Sequence, residues 1–423
     1  MKPISISLSP NTQKDDIFLA LKLIFSPWRW KKGKEIKELE EEFKKYFNVK
    51  YAFSFNSGRT ALLAILKSLD LKKEENGVLV QAFTCNAVIN PILWAGLTPI
   101  YVDCNEKNFN IDINDLKRKI KNQENLKRTP KVLIVQHNFG LSVEMDKILE
   151  ICKEKNLILI EDCAHSLGAT YNGQKVGTFG KVSFFSFSRD KVISSVFGGM
   201  VITNDSFLAE KIKENYLKFN YPGYFWIFQQ LLHPVLINWL VLPIYNFLDL
   251  GKIILVLSQW FHLLSKAVHW KEKRGEKPDY FPKKFPNGLA VLALNQFKKL
   301  ENFNQHRKKI ANFYYQQLKD SSFVLPPKDN SIFLRFTIKH LKAHEIIYNA
   351  WHKENILLGD WYTSPIAPFD TQLDKLKYKI GECKKAERLA KITLNLPTHI
   401  NISYKEAEKI VKFLKKMENF LKY

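Results

Sequence analysis

Neither a zinc-binding motif nor a disulfide framework is encoded in this chain of 423 residues. The cysteines are scattered and form no CxxC pair, which argues against both kinds of site. They are Cys85, Cys104, Cys152, Cys163 and Cys383. The first residues, MKPISISLSP, also lack the apolar stretch of a secretory signal peptide. We therefore predict a cytoplasmic protein without a metal centre.

Acidic residues are the second shortage: 42 Asp and Glu stand against 65 Lys and Arg, which leaves a formal net charge of +23. A charge of this sign favours anionic partners, such as nucleic acid, an acidic membrane surface or phosphorylated substrates. Many of the lysines alternate with glutamates, as in KEIKELEEEFKKYF, which is typical of a solvated helix surface. Because no zinc-finger or RRM signature accompanies the charge, we predict no nucleic-acid partner.

Hydrophobic residues make up 46% of the chain, enough for a large core. Between residues 50 and 205, short apolar runs alternate with helical stretches. The predicted strands are 51–55, 78–81, 99–103, 132–136, 157–161, 182–187 and 200–203, with helices such as 60–69 and 144–155 between them. This alternation predicts an α/β fold of three layers, α/β/α, around a mostly parallel sheet. Ligands of such sheets bind beyond the carboxyl ends of the strands.

A smaller α/β domain is predicted towards the C-terminus. Its elements are a strand at 331–339 and helices at 344–354 and 404–416. Ser403 and Glu406 form a capping box at the start of the last helix. A long helix at 290–319 would join the two domains. We place the large domain at 1–290 and the linking helix with the small domain at 291–423.

Residues 221–265 are too apolar for an ordinary enzyme loop, since Asp249 and Lys252 are their only charged residues. The stretch 227–248 has the length of a membrane span, about 20 residues. However, two prolines and several polar side chains interrupt it. A helix or helical hairpin lying in the membrane interface fits better, with the tryptophans at 226, 239 and 260 at headgroup depth.

Basic residues follow this insert at 266, 271, 273, 274, 277, 283 and 284. Such a cluster beside an apolar segment suits anionic lipid headgroups. We therefore predict peripheral binding to an anionic membrane surface through 221–284, on the cytoplasmic face. A helical insert buried in a dimer interface is the alternative that the sequence leaves open.

Two polar motifs lie at the ends of predicted strands. Ser57, Gly58 and Arg59 stand between a strand and a helix, where backbone amides can bind an anion and Arg59 can add a charged donor. Asp162 follows an apolar strand, with His165 three residues later. A carboxylate at a strand end can keep a pyridine nitrogen protonated, which makes the ring an electron sink. A helix-capping Asp and a buried structural His are the plainer interpretation of that pair.

The third motif, FSFSRDK at 185–191, places Ser186 at a strand end and Lys191 in the following turn. A serine there can bind phosphate. A lysine there can bond covalently to a carbonyl carbon if its surroundings lower its pKa. Gly198 and Gly199 let the chain reverse tightly into the next strand. In a Lys-rich chain, a surface lysine is the plainer interpretation of Lys191.

Taken together and in this order, the motifs resemble the DegT/DnrJ/StrS family of sugar aminotransferases, of the aspartate-aminotransferase-like fold (PLP-dependent transferase fold type I). The resemblance covers nearly the whole chain. It includes SGRTAL (57–62), QAFTCNAV (81–88), TPIYVDCNEKNFNID (98–112), HNFG (137–140), the stretch at 145–180, FSFSRDK with GGMVITND (185–205), NQFKKLENFNQHR (295–307) and CKKAERLAKITLNLP (383–397).

The resemblance implies pyridoxal 5′-phosphate (PLP) as the cofactor and gives each polar residue a role. Lys191 corresponds to the lysine that binds the cofactor covalently, and Asp162 to the acid that pairs with its ring nitrogen. His165 falls near the phenolic oxygen. The phosphate contacts fall on Ser186 and on the turn of Ser57, Gly58 and Arg59. Members with histidine in place of the lysine act as dehydratases, so this chain favours transamination.

Two departures from the family pattern concern the cofactor ring and the partner subunit. Cys85 stands where the family has an aromatic residue stacked on the ring, and Phe83 is the alternative. The family's Asn-Tyr-Arg-Met segment, which helps to bind phosphate across a dimer, is unrecognisable around 282–287. Lys283 or Lys284 is the available substitute for its arginine.

The resemblance also implies a homodimer that moves an amino group from an amino acid, by analogy glutamate, to a nucleotide-linked keto sugar. Such a reaction serves cell-surface glycan or amino-sugar biosynthesis. Lys191 would move the proton between the donor's α-carbon and the cofactor. The rival hypothesis is a membrane-associated regulatory or binding protein that keeps the PLP fold without turnover.

Overall fold

The computed structural model describes residues 2–72, 75–124, 129–328 and 331–420. Its strands are β1 (Ile4–Ser5), β2 (Tyr51–Phe55), β3 (Asn76–Gln81), β4 (Thr84–Cys85), β5 (Thr98–Val102), β6 (Thr129–Gln136), β7 (Ile158–Asp162), β8 (Thr170–Tyr171), β9 (Gln174–Lys175), β10 (Val182–Ser186), β11 (Gly199–Thr203), β12 (Arg335–Lys339), β13 (Ile356–Leu357), β14 (Ile366–Ala367) and β15 (Thr393–Pro397). Its helices are α1 (Lys14–Ile24), α2 (Glu35–Phe47), α3 (Gly58–Ser68), α4 (Asn86–Trp94), α5 (Ile113–Glu124), α6 (Met145–Glu154), α7 (Ser206–Lys218), α8 (Tyr224–Leu236), α9 (Leu250–Trp260), α10 (Asn287–Phe297), α11 (Leu300–Leu318), α12 (Ala343–Glu354), α13 (Lys384–Ile392) and α14 (Tyr404–Phe420).

The central sheet has the strand order β2-β11-β10-β7-β6-β3-β5. Strands β10, β7, β6, β3 and β5 run parallel to one another, whereas β11 is antiparallel to both of its neighbours. Val78 and Val80 pack into one core, while Leu79 between them packs into another. Burial on both faces explains why these strands are apolar at consecutive positions. The predicted three-layer α/β/α fold with a mostly parallel sheet is confirmed.

The long helix predicted at 290–319 is wrong in one respect, because the structure divides it into α10 and α11. The chain leaves helical geometry at Lys299, with φ −98° and ψ 1°. At this break the Lys299 ammonium group reaches two carboxylates of α1, Asp15 at 2.8 Å and Asp16 at 2.9 Å. A contact with residues so distant in sequence is invisible to a local helical pattern.

The elements predicted towards the C-terminus are present, with β12 and β15 paired antiparallel and α12, α13 and α14 around them. The capping box of α14 is also present, since the Ser403 N–H donates to Glu406 at 2.8 Å and the Glu406 N–H donates to the Ser403 hydroxyl at 3.2 Å. Two short parallel pairs join distant parts of the chain. Strand β1 pairs with β13, and β4 pairs with β14.

The apolar insert forms α8, a π-helical turn at Ile237–Val241, and α9. Helix α8 packs against α1 and α10, with its inward side chains fully buried. Helix α9 differs, because its buried residues are Gly251 and Ser258 while large apolar side chains face outwards. Within the described residues, no helix combines the length and apolarity that crossing a bilayer requires.

Candidate active site

A cavity of about 210 Å³ lies at the carboxyl ends of β7 and β10. The predicted site residues in its walls are Gly58, Arg59, Cys85, Asp162, His165, Ser186 and Lys191. Ser57 and Phe83 lie outside these walls. The parallel register explains the convergence, because Asp162 of β7 stands opposite Phe184 of β10, two residues before Ser186. Both strands therefore deliver their last polar side chain to the same edge of the sheet.

Asp162 is a buried carboxylate that accepts two hydrogen bonds. The Gln136 side-chain amide donates to it at 2.9 Å, and the backbone N–H of Ala164 donates at 3.0 Å. Burial raises the pKa of Asp162, and these hydrogen bonds oppose the rise. Among the described residues, no cationic nitrogen lies within 4.0 Å of this carboxylate. The site therefore suits a ligand that brings its own positive charge.

Lys191 lies in the turn after β10, with its Nζ atom 2.7 Å from Nε2 of His165 and 4.8 Å from the centre of the Trp361 ring. Burial lowers the pKa of Lys191 to about 8. A lysine near this value exists partly as the neutral amine at physiological pH, which is the form that attacks a carbonyl carbon.

His165 is held as a neutral ring with a defined tautomer. Its Nδ1 accepts a hydrogen bond of 3.3 Å from the backbone N–H of Phe139, so the ring hydrogen resides on Nε2. Burial, with the charges of Lys191 and Arg335, places the pKa of His165 well below its usual range. Trp361 stacks on the ring at 5.1 Å between centroids. His165 therefore presents an N–H donor to the cavity beside Lys191.

The wall near Gly58 is built by close packing of backbone. A Cβ atom on Gly58 would lie 3.0 Å from the Cβ of Ser186. The Ser186 hydroxyl is 3.1 Å from that of Ser188, and both residues line the cavity. Ser57 instead caps α3, where its hydroxyl accepts from the Thr60 N–H at 3.0 Å. Gly58 and Ser186 thus offer a helix N-terminus and a hydroxyl to an anion.

The side chain of Arg59 is engaged elsewhere. It forms a buried salt bridge with Glu272 and donates to the backbone oxygen of Ala267 at 3.1 Å. A guanidinium already neutralised by a carboxylate is poorly suited to bind a second anion. The charged donor expected from Arg59 is therefore directed at Glu272, and its backbone is the part that remains for phosphate.

Of the two residues considered for the ring-stacking position, Cys85 and Phe83, only one lines the cavity. Phe83 is fully buried among Phe109, Phe139 and Tyr362, away from the cavity. Cys85 lines the cavity.

Lys283 and Lys284 also lie outside the walls of this cavity. The backbone of Lys283 accepts from the Asn56 N–H at 3.2 Å. The ammonium group of Lys284 stands 5.2 Å from the ring centre of Tyr216 and 5.9 Å from that of Tyr221.

Glu161, the neighbour of Asp162, organises the loop after β9. Its carboxylate accepts hydrogen bonds from the backbone N–H groups of Gly177, Phe179 and Gly180 at 2.7 to 2.8 Å. His137 adds a contact of 3.3 Å through Nε2. Glu161 is thereby committed to backbone donors, and of the adjacent carboxylates only Asp162 faces the cavity.

Some residues of the cavity carry no local sequence signal. Trp361 comes from the loop between β13 and β14, and Ala267 and Val268 come from the segment just after the apolar insert. Arg189 also lines the cavity. Its position in the FSFSRDK motif, two residues before Lys191, is the sequence signal that could have identified it as a site residue. A cofactor with a cationic ring nitrogen, a reactive carbonyl and a phosphate fits the chemistry of the walls, since Asp162, Lys191 and the Gly58–Ser186 packing supply one partner for each.

The sequence profile of the DegT/DnrJ/EryC1/StrS aminotransferase family matches residues 11–225 and 265–415. These stretches make up more than half of the chain. The gap between them, 226–264, falls within the insert predicted at 221–265.

Individual proteins show the same relationship. GDP-perosamine synthase of Escherichia coli O157:H7 is 37% identical over 186 residues, which are 44% of this chain and 49% of that protein, so the match spans about half the length of this relative. The UDP-4-amino-4,6-dideoxy-N-acetyl-beta-L-altrosamine transaminase of Helicobacter pylori is 27% identical over 99% of both chains. The solved structure of Helicobacter pylori PseC, an aminotransferase involved in the biosynthesis of pseudoaminic acid, has a TM-score of 0.73 and 24% identity, covering 99% of this chain and 100% of its own. This last likeness shows the fold.

Proposed function

We propose that this chain, which belongs to the DegT/DnrJ/EryC1/StrS aminotransferase family, moves an amino group from an amino acid to a nucleotide-linked keto sugar. Its cofactor is pyridoxal 5′-phosphate. The observation that carries the proposal is the meeting of Lys191, His165 and Asp162 in one cavity. The relatives named for GDP-sugar and UDP-sugar chemistry support the class of acceptor.

Each polar residue of the cavity has a task in this proposal. When bound, the cofactor supplies an electron sink that stabilises negative charge on the α-carbon of the donor. Asp162 would keep the ring nitrogen of the cofactor protonated, and His165 would offer its Nε2–H as a hydrogen-bond donor to the cofactor. Lys191 would hold the cofactor covalently through Nζ and would be released when the amino donor takes its place. The freed amine, with its lowered pKa, then carries the proton from the donor as general base and acid.

The test is a two-step assay on the purified protein loaded with PLP. Glutamate should bleach the absorbance band of the bound cofactor and release 2-oxoglutarate. A panel of keto sugars linked to UDP, GDP or dTDP should then restore the band with one acceptor. If the cofactor binds and no amino acid ever converts it, the rival of a fold-retaining regulatory protein replaces this proposal.

A homodimer is the second part of the proposal. Three large apolar side chains on and after α1 are mostly exposed, Phe18 at 60%, Phe25 at 73% and Trp28 at 75%. Apolar residues of this size are usually covered by a partner when they occur close together. The resemblance to the family also implies a site at the subunit boundary, which is consistent with a partner subunit.

Peripheral binding to an anionic membrane is the third part. On α9, Ile253 is 48%, Val256 64% and Trp260 72% exposed. Exposed apolar side chains on a helix whose buried residues are Gly251 and Ser258 fit burial in a lipid interface. Trp239 is half exposed, but its ring centre stands 5.7 Å from that of Phe18, so it belongs to the apolar surface assigned above to the partner subunit. Trp226 packs inwards against Phe197 and is unsuited to headgroup depth. The cations that follow in sequence would add attraction to anionic lipid.

A further inference from the structure

Two arginines line the cavity, and they differ in their counter-ions. Arg59 is neutralised by the buried carboxylate of Glu272. Arg189 has no such partner, since within the described part of the chain no carboxylate oxygen lies within 4.0 Å of its guanidinium nitrogens. The carboxylate nearest in sequence, Asp190, points instead to Arg335 at 3.6 Å. Arg189 is therefore a cavity-lining cation without an anion of its own.

The guanidinium of Arg189 is nevertheless fixed in place. Its Nη2 atom donates to both the backbone oxygen and the hydroxyl of Ser265, each at 2.6 Å. Its Cζ atom stands 5.8 Å from the ring centre of Phe197. Its Nε atom is buried and has no hydrogen-bond partner. A cation held in such surroundings is costly to leave unpaired, so the geometry favours an anionic ligand at this point of the cavity.

The surroundings specify the kind of anion. Ser186 and Ser188 of the same turn bring hydroxyl groups to the cavity, and Gly58 opens α3 there. Guanidinium, hydroxyl and backbone N–H groups together are the donor set of phosphate sites. We propose that Arg189 binds a phosphate oxyanion of a ligand in this cavity. The phosphate could belong to the cofactor or to the diphosphate of the sugar nucleotide. Both ligands follow from the proposed function, so this proposal rests on it.

The end of the apolar insert fixes the position of Arg189 through hydrogen bonds. Ser265, at the end of the insert, receives both hydrogen bonds from Arg189 and in turn donates from its hydroxyl to Gln230 of α8 at 2.8 Å. Ala267, two residues later, receives the bond from Arg59. The segment after α9 thus orients both arginines from within the same chain.

The first experiment compares Arg189→Gln with the wild-type protein by equilibrium binding of PLP and of pyridoxal, which lacks the phosphate. If the cofactor is the source, Arg189→Gln should weaken PLP binding about 10- to 100-fold, the loss of one charge-assisted interaction, and leave pyridoxal unchanged. Arg189→Lys should recover part of the loss. Arg274→Gln, which removes an exposed arginine away from the cavity, is the control and should change neither affinity.

The second experiment measures UDP and GDP binding to the PLP-loaded protein. If the sugar nucleotide is the source, Arg189→Gln should keep its PLP affinity and lose about 10- to 100-fold in nucleoside diphosphate affinity. Unchanged affinity for PLP, UDP and GDP in a variant that melts like the wild type overturns the proposal. Equal weakening of PLP and pyridoxal also overturns it, because that result reports a distorted cavity. Failure of the proposed function is a separate result, since amino transfer would be absent while the phosphate-dependent difference in binding persists.

Discussion

Gly199 lies so close to Gly58 that a Cβ atom at position 199 would stand 2.6 Å from the Gly58 backbone nitrogen. Because this is a backbone contact, no side-chain movement relieves it. Strand β11 can therefore pass the N-terminus of α3 only with glycine at this position. The wall of the cavity near Ser186 depends on that packing.

Gly199→Ala should therefore destabilise the protein by about 1–3 kcal/mol and weaken PLP binding, as overpacking against rigid backbone does. Thermal unfolding and PLP titration measure the two effects. Gly223→Ala is the matched control, since a Cβ there would meet nothing within 4 Å. Equal behaviour of the two variants would show that the close packing of β11 on α3 does not shape the site.

The pH dependence of cofactor attachment should follow the lowered pKa of Lys191. Only the neutral amine reacts, so the rate of borohydride-trapped PLP attachment should rise about tenfold per pH unit below pH 8 and level off above it. An ordinary lysine, with its pKa near 10.5, would keep rising to higher pH. Lys191→Ala should fold normally and trap no PLP. Mass spectrometry of trapped peptides settles the site, and an adduct on another lysine would refute the role of Lys191.

Asp162→Asn should retain some PLP but lose at least about 100-fold in the rate of the glutamate half-reaction, because an amide cannot keep the ring nitrogen protonated. His165→Ala should lose less, about tenfold, since it removes a donor rather than the electron sink. Single-turnover absorbance kinetics measure both. Asp162→Asn within a few-fold of the wild type would contradict the role proposed for this carboxylate.

Flotation with anionic liposomes should carry the wild-type protein but not a variant with Ile253, Val256 and Trp260 all replaced by Gln. Each large apolar side chain buried in lipid contributes about 1.5–3 kcal/mol, so the triple change should weaken binding at least about 100-fold. Replacing Leu341 and Ile380, which are 84% and 72% exposed elsewhere, should have little effect. If the wild-type protein stays with the soluble fraction, membrane binding through α9 is wrong.

The protein should sediment as a homodimer of twice the 49.5 kDa chain mass. Covering Phe18, Phe25 and Trp28 supplies part of the driving force, because burial of such side chains is the main favourable term in subunit association. Analytical ultracentrifugation measures the mass, and activity on dilution measures the need for the partner. Full activity in a monomer would exclude a site completed by the second subunit.

The central sheet could be predicted from sequence because its strands are buried on both faces and its turns carry polar residues. Strands β2 and β7 lie within about one residue of their predicted bounds, as the apolar runs define them. Strand β6 begins three residues earlier than predicted, at Thr129. Strand β12 is shorter than predicted and begins at Arg335, because Phe333, two residues earlier, has a positive φ of 48°, which a β-strand does not accommodate.

The candidate site could be predicted only where its residues share a motif. Asp162, His165, Ser186 and Lys191 stand within 30 residues of one another in sequence and meet in the cavity. Long-range contacts decide the rest. The salt bridge between Arg59 and Glu272 joins residues more than 200 positions apart, and the sequence around Arg59 gives no sign of this partner.

The pairing of β4 with β14 determines how late in folding the cavity can form. Cys85 and Ala367 are register partners and both line the cavity, so this wall joins positions separated by most of the chain. During synthesis the sheet strands from β2 to β11 emerge long before Ala367 leaves the ribosome. Contacts of such high sequence separation form late. Competence to bind the cofactor should therefore be among the last properties the polypeptide acquires, and refolding followed by circular dichroism and PLP fluorescence should show secondary structure well ahead of cofactor capture.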